Sequence, residues 1–203
     1  KKLDIDLLEA GSIEITRKPN PPEGVQPAAS EGGFSLPELP VSIKLGKLAV
    51  PVVKLSAALA GEDTVFDVGG NALLADGKLH SELLIKRTQP AGGDLSFTAD
   101  FDNATRQLGL NLSLQEPNGG FLSSMLKVPG SPALGFTIVG SGPLNNFAAD
   151  IALSADGSKL FGGKATLSEA AEGMAFKADL GGNLERLVDP AYADFVRGES
   201  AIS

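Results

Sequence analysis

Apolar and polar residues alternate with a period of two along most of the chain. Leu95, Phe97, Ala99 and Phe101 are separated by Ser96, Thr98 and Asp100, and Leu108, Leu110, Leu112 and Leu114 by Gly109, Asn111 and Ser113. Leu134, Phe136 and Ile138 repeat the rule, as do Phe147, Ala149, Ile151 and Leu153, and later Met174, Phe176, Ala178 and Leu180. Successive side chains of a strand point to opposite faces, so each segment carries one apolar and one polar face. That is the pattern of half-buried antiparallel sheet; strands covered on both faces read instead as unbroken apolar runs. Asp76-Gly77 and Asp156-Gly157 stand between apolar runs. Asp-Gly is a strong hairpin signal because a tight primed turn needs positive φ. Asn103-Ala104-Thr105-Arg106 separates two alternating segments in the same way. The pattern predicts an all-β chain of roughly ten to twelve strands joined by consecutive hairpins.

Three stretches interrupt the rhythm and divide the chain. Residues 1–16 read as strands of a preceding sheet segment. Residues 17–38 hold Pro19, Pro21, Pro22, Pro27 and Pro37 with Gly24, Gly32 and Gly33. Proline cannot donate to a ladder, so this is a loop or linker. The main sheet segment then runs over 39–182, broken at 119–128. There Phe121, Leu122, Met125 and Leu126 share one face of a short helix that Pro129-Gly130 stops. Residues 183–203 read as a second short helix, with Asp189-Pro190 as N-cap and first position and Gly198 as its stop, leading into a further segment. A weak ungapped recurrence is also present: Leu55-Ser56 returns as Leu167-Ser168, Gly61 as Gly173, and Asp67-Val68-Gly69-Gly70-Asn71 as Asp179-Leu180-Gly181-Gly182-Asn183. If it is architectural, the chain is an array of stacked units.

Composition narrows the chemistry. The chain has no cysteine and one histidine, which removes disulfide scaffolds, thiolate metal sites and multi-histidine metal sites. Lys and Arg number 17 against 25 Asp and Glu, a net charge of -8. That balance argues against nucleic acid, whose binding depends on neutralising phosphates. No apolar run approaches the ~20 residues of a membrane-spanning helix. The chain begins on Lys1 and reads as a piece cut from a longer protein. His80 falls on the polar side of an alternating segment and reads as a solvent-facing residue. Asp100, Asp102 and Asn103 lack the glycine and distal glutamate of a calcium loop and read as a hairpin turn. None of the glycine doublets has the following Lys-Ser/Thr of a phosphate loop. No catalytic residue, metal or cofactor is expected, and the chain reads as a non-enzyme.

What remains is the apolar face itself. Periodicity leaves two architectures open: two sheets packed as a sandwich, or one long sheet curled into a trough. Several segments resemble the TamB family of the translocation and assembly module, particularly its alphaproteobacterial branch. Glu116-Pro117-Asn118-Gly119-Gly120, the short apolar stretch to Val128, Pro129-Gly130 and the turn Gly140-Ser141-Gly142-Pro143-Leu144 occur in the family's order. Leu187 to Gly198 is similar to another family segment. The resemblance covers most of 39–203; Phe147 stands where relatives often have tryptophan.

The resemblance implies a long antiparallel sheet curled into a U-shaped apolar trough, as in AsmA-like and bridge-like lipid transfer proteins. It implies a periplasmic protein of a Gram-negative bacterium, anchored in the inner membrane by a segment outside this chain. Phospholipid acyl chains are then the expected partners, moving between inner and outer membrane. A BamA-type outer-membrane barrel is expected to meet other parts of the protein. Assistance to barrel and autotransporter insertion through strand pairing is the alternative role. The residues expected to line the trough are Ile43, Leu45, Leu95, Phe97, Phe101, Leu108, Leu110, Leu112, Leu114, Leu134, Phe136, Ile138, Phe147, Ile151, Leu153, Phe176 and Leu180. Unprotected strand edges would also expose the chain to edge-to-edge self-association.

Overall fold

The structure, a computed structural model, describes residues 2–17, 42–90, 92–170, 173–183, 185 and 200–202. The proline-rich stretch beyond Arg17 and the helix expected from Asp189 lie outside the described residues. Among the described residues thirteen strands form one sheet. They are β1 (Lys2–Ile5), β2 (Leu8–Glu9), β3 (Ile13–Ile15), β4 (Ser42–Leu55), β5 (Thr64–Ala75), β6 (Lys78–Gln89), β7 (Asp94–Asp102), β8 (Gln107–Glu116), β9 (Leu134–Pro143), β10 (Asn146–Ala155), β11 (Ser158–Ala170), β12 (Gly173–Gly182) and β13 (Ser200–Ile202). Two short helices interrupt them, α1 (Ala57–Ala60) and α2 (Phe121–Met125).

From β4 onward each strand pairs antiparallel with the next. The N-terminal edge differs. β1, β2 and β3 all lie parallel to β4, so the sheet is mixed rather than antiparallel throughout. The antiparallel part follows from the turns. Asp76 and Gly77 have φ of 52° and 70°, and Asp156 and Gly157 have 48° and 75°. Positive φ at both central residues is the primed geometry whose twist matches the flanking strands. At the β7–β8 turn Asp102 accepts the Ala104 N–H at 2.8 Å, which holds the chain in its reversal. The long β4 tolerates Gly46 and Pro51 because its pairing with β5 is irregular between Leu45 and Leu48 and between Val50 and Val53.

The sheet has two unlike ends. At the hairpin end lie the short β5–β6, β7–β8, β9–β10 and β11–β12 connections. At the looped end lie α1, the β6–β7 connection and α2, with the tight Asp156-Gly157 turn beside them. This layout settles the weak sequence recurrence. β4 and β11 are seven steps apart in the strand order and run in opposite directions. The β4–β5 and β11–β12 hairpins therefore turn at opposite ends, and the recurrence does not describe stacked units.

Among the described residues there is no second sheet to complete a sandwich, and the sheet is curled without closing into a barrel. Its curl is visible in the packing. Phe101 and Leu144 form a buried cluster against which Leu74 of β5, Leu79, Leu108 and Leu167 of β11 pack. β5 and β11 are six strands apart, roughly 29 Å in a flat sheet. Two side chains cannot bridge that distance unless the sheet bends around them.

Candidate functional site: the inner face of the curled sheet

Register assigns every strand residue to a face, because paired residues point the same way. Leu83, Phe97, Leu112, Ile138, Ile151 and Leu180 belong to one row across the sheet. Leu95, Leu114, Phe136 and Leu153 form the next row toward the looped end. Phe101 and Leu108 lie in a row toward the hairpin end, with Phe147, Leu167 and Phe176 continuing the inner face there. Ile43 and Leu45 pair with Leu74 and Ala72 on the same face, and Leu134 pairs with Glu116 and Ala155. Leu110 stands beside Ala99 and Gly140. All the residues expected to line a trough thus share one face.

That face is only half covered. Phe101, Leu134 and Phe147 are buried, Phe176 is 71% exposed, and the other candidates are partly exposed. Among the described residues the largest side chains to reach full burial are Thr64 and Ser123, not aliphatic or aromatic ones. A filled core would bury Phe97, Leu112 and Ile138 at the centre of the sheet. A belt of small residues runs between the larger rows: Ala72, Ser81, Ala99, Gly140, Ala149, Ala165 and Ala178, interrupted by Leu110. Gly140 is required there: a Cβ on it would stand 2.6 Å from the Phe147 ring and 2.8 Å from the Ala149 methyl.

The outer face is mostly polar and laced by cross-strand pairs, with Leu73, Leu84 and Val139 standing exposed on it. Asn71 donates to Glu82 at 2.8 Å, Lys164 to Asp150 at 2.8 Å, and Lys78 meets Asp102 at 3.0 Å. His80 Nδ1 lies 2.6 Å from Asp100 Oδ1, and its Nε2 lies 3.6 Å from Glu82. The hydrogen bond to Asp100 raises the His80 pKa above its ordinary 6.5, against an opposing effect of burial. The Lys78 ammonium lowers the Asp102 pKa, helped by the turn N–H groups. Among the described residues no group of three or more His, Asp or Glu is placed to hold a metal ion.

Two charged residues break the segregation, and both do so at the looped end. Arg87 pairs with Phe66, and Glu116 with Leu134, so both stand in inner-face registers. Arg87 is 3% exposed and Glu116 7%. Continuing the alternation Leu83, Ile85 to residue 87, and Leu110, Leu112, Leu114 to residue 116, would have placed both inside. Each charge organises a loop. Arg87 Nε donates to Gly92 O at 2.7 Å, and Nη1 lies 3.6 Å from Glu62 of the α1–β5 connection. Glu116 accepts the Leu122 N–H at 2.9 and 3.1 Å, which anchors the start of α2.

So anchored, α2 reaches both walls of the curl. Phe121 meets Phe66 of β5 edge-to-face, with ring centroids 5.6 Å apart at 86°. Leu122 packs on Leu134, Ala155 and Leu160 of β9, β10 and β11. Beneath the helix is a cavity of about 350 Å³ lined by Phe66, Val68, Ile85, Leu95, Leu114 and Phe121, with Arg87 and Glu116 in its wall. The spacing of Phe121, Leu122, Met125 and Leu126 predicted the helix, while its place over the inner face depends on the curl.

No helix among the described residues is long and apolar enough to cross a membrane. No family model matches the chain, and neither a curated protein nor a solved structure is similar to it.

Proposed function

We propose that the inner face shields lipid acyl chains from water, and that this chain is an interior segment of a periplasmic, inner-membrane-anchored conduit for phospholipid. The observation that carries the reading is the partly exposed apolar face of a single curled sheet, which among the described residues no second sheet covers and only the short α2 overlies. The likeness of the Glu116–Leu144 segments to the TamB family points the same way. Burying a methylene is worth ~0.8 kcal/mol, so bare passage of a sixteen-carbon chain through water costs on the order of 10 kcal/mol. An aliphatic lining removes most of that cost without directional bonds that would stall the lipid. The belt of small residues offers a chain-width path that crosses the strands, so its length grows with strand number at about 4.8 Å per strand.

A photocrosslinker at Phe136, on the inner face, and at Thr137, on the outer, tests the reading. Lipid adducts should form at residue 136 and not at 137; equal labelling would overturn it.

One observation favours a second reading, strand pairing with an unfolded barrel protein. Among the described residues β13 pairs with β12 only over Leu180–Gly182, and Phe176 stands exposed farther along β12. An added strand would gain backbone hydrogen bonds there. A crosslinker at Phe176 that captures a nascent barrel substrate, while residue 136 captures no lipid, would favour this role.

A further inference from the structure

Over most of its width the inner face is partly exposed, but under α2 it is roofed. The row Val68, Ile85, Leu95, Leu114, Phe136 and Leu153 crosses the sheet in register from β5 to β10. Its first four members line the cavity of about 350 Å³ beneath α2, together with Phe66 and Phe121. The lining is almost wholly apolar. Arg87 and Glu116 stand in the wall, but their charged ends are committed to the loops. Arg87 Nε donates to Gly92 O at 2.7 Å, Nη2 lies 3.5 Å from Gly119 O, and Nη1 is 3.6 Å from Glu62. Both Glu116 carboxylate oxygens accept the Leu122 N–H. Asp94 pairs with Lys86 and Gln115, which places it in an outer-face register.

A polar or charged head group would therefore lose its hydration in this cavity and gain no partner. An alkyl chain loses nothing. Apolar cavities stay dry and accept apolar molecules; one of ~150 Å³ lined by Leu, Ile and Phe holds a six-carbon ring, so this one has room for about a dozen carbons. The surroundings decide how the chain lies. The loops organised by Arg87 and Glu116 bound the cavity at the looped end, whereas its floor continues in register to Phe136 and Leu153, which are partly exposed. We infer that the cavity beneath α2 is a chain-end pocket, which takes the methyl end of one straight acyl chain while the remainder runs along Phe136 and Leu153 and the head group stays outside. This rests on the acyl-chain reading above, and adds to it a fixed chain polarity and a length limit.

Fatty acids of eight to sixteen carbons, titrated into the whole chain, test the pocket. Affinity should rise about fourfold per methylene while the added carbons are enclosed. Beyond about twelve carbons the gain should fall below about twofold, because further methylenes lie on the partly exposed face. Val68→Phe fills the pocket from its floor and should move this break to shorter chains. Should that variant fail to fold, the unaltered chain decides. A sixteen-carbon fatty acid with a diazirine at its methyl end should label Phe66, Leu95 and Phe121, and one with the diazirine beside the carboxylate should not. A uniform gain through sixteen carbons, a break that Val68→Phe leaves in place, or equal labelling by the two diazirines would overturn the pocket, and lipid adducts at residue 136 would then leave the acyl-chain path standing. If no fatty acid binds and residue 136 captures no lipid, both readings fall.

Discussion

At the hairpin end the strands seal the inner face with their own side chains; at the looped end an inserted helix covers it around buried charge. Phe101 and Leu144 are 3% and 5% exposed, and their neighbours come from β5, β6, β8 and β11. Among the described residues nothing polar is buried there. At the looped end Thr64, Arg87, Glu116 and Ser123 are all buried, and an apolar cavity remains open beneath Phe121. Apolar contact alone needs no geometry beyond close packing, so the hairpin end is suited to hold the curl. Buried charge stabilises little once its desolvation is counted, but it fixes position. The difference separates a region held by close packing from one whose parts are positioned by buried polar contacts.

The largest effect should follow from emptying the hairpin end. Phe101→Ala removes the side chain around which both walls pack, and should lower the unfolding free energy by about 3–5 kcal/mol. Denaturant melts read this directly. A loss below about 1 kcal/mol would mean that the curl does not depend on this cluster. Leu144→Ala should be costly for the same reason, and the double variant should lose less than the sum because the two side chains touch.

Next in size is Glu116→Leu at the looped end. It spares apolar burial but strips the acceptor from the Leu122 N–H, which should cost about 1–3 kcal/mol. Amide exchange at Leu122 should accelerate while that of Phe101 stays protected. Comparable acceleration at both would show that the ends are not independent. Phe121→Ala should cost only about 1–2 kcal/mol, because the ring is half-buried and its edge-to-face contact is a single pair. Its signature is functional: entry of a fluorescent fatty acid into the cavity should become faster.

These expectations also mark what the chain's sequence disclosed. The Leu108–Leu114 and Phe97–Phe101 alternations and the two Asp-Gly turns were enough to specify strands, hairpins and the sheet face of each apolar residue, because side-chain direction in a strand is a local property. The choice of trough over sandwich was not local. It depends on Leu167 and Leu74 converging on Phe101 and Leu144 across six strands, and only the curl reveals that. The parallel edge formed by β1 to β3 was equally hidden, since parallel pairing leaves no mark in strands this short. Arg87 and Glu116 were legible in principle, as charges that continue an inward alternation. Their burial has no local signal, because nothing in the sequence places α2 above them.

The smallest effect concerns the outer face at the hairpin end and sharpens the claim that this end is built on apolar packing. His80 gains a partner on folding: Asp100 at 2.6 Å raises its pKa above 6.5. A raised folded pKa means that the protonated form is favoured in the native state. The resulting stability is complete below pH 6.5 and fades as pH rises through the elevated folded value. The His80 side chain is 43% exposed and that of Asp100 60%, so solvent screening should hold the contribution under about 1 kcal/mol. Melts of the unaltered chain across that window should therefore show a shallow decline with pH, and His80→Gln should flatten it. A decline several times steeper would make the outer ion pairs, rather than the Phe101–Leu144 cluster, the principal support of the hairpin end.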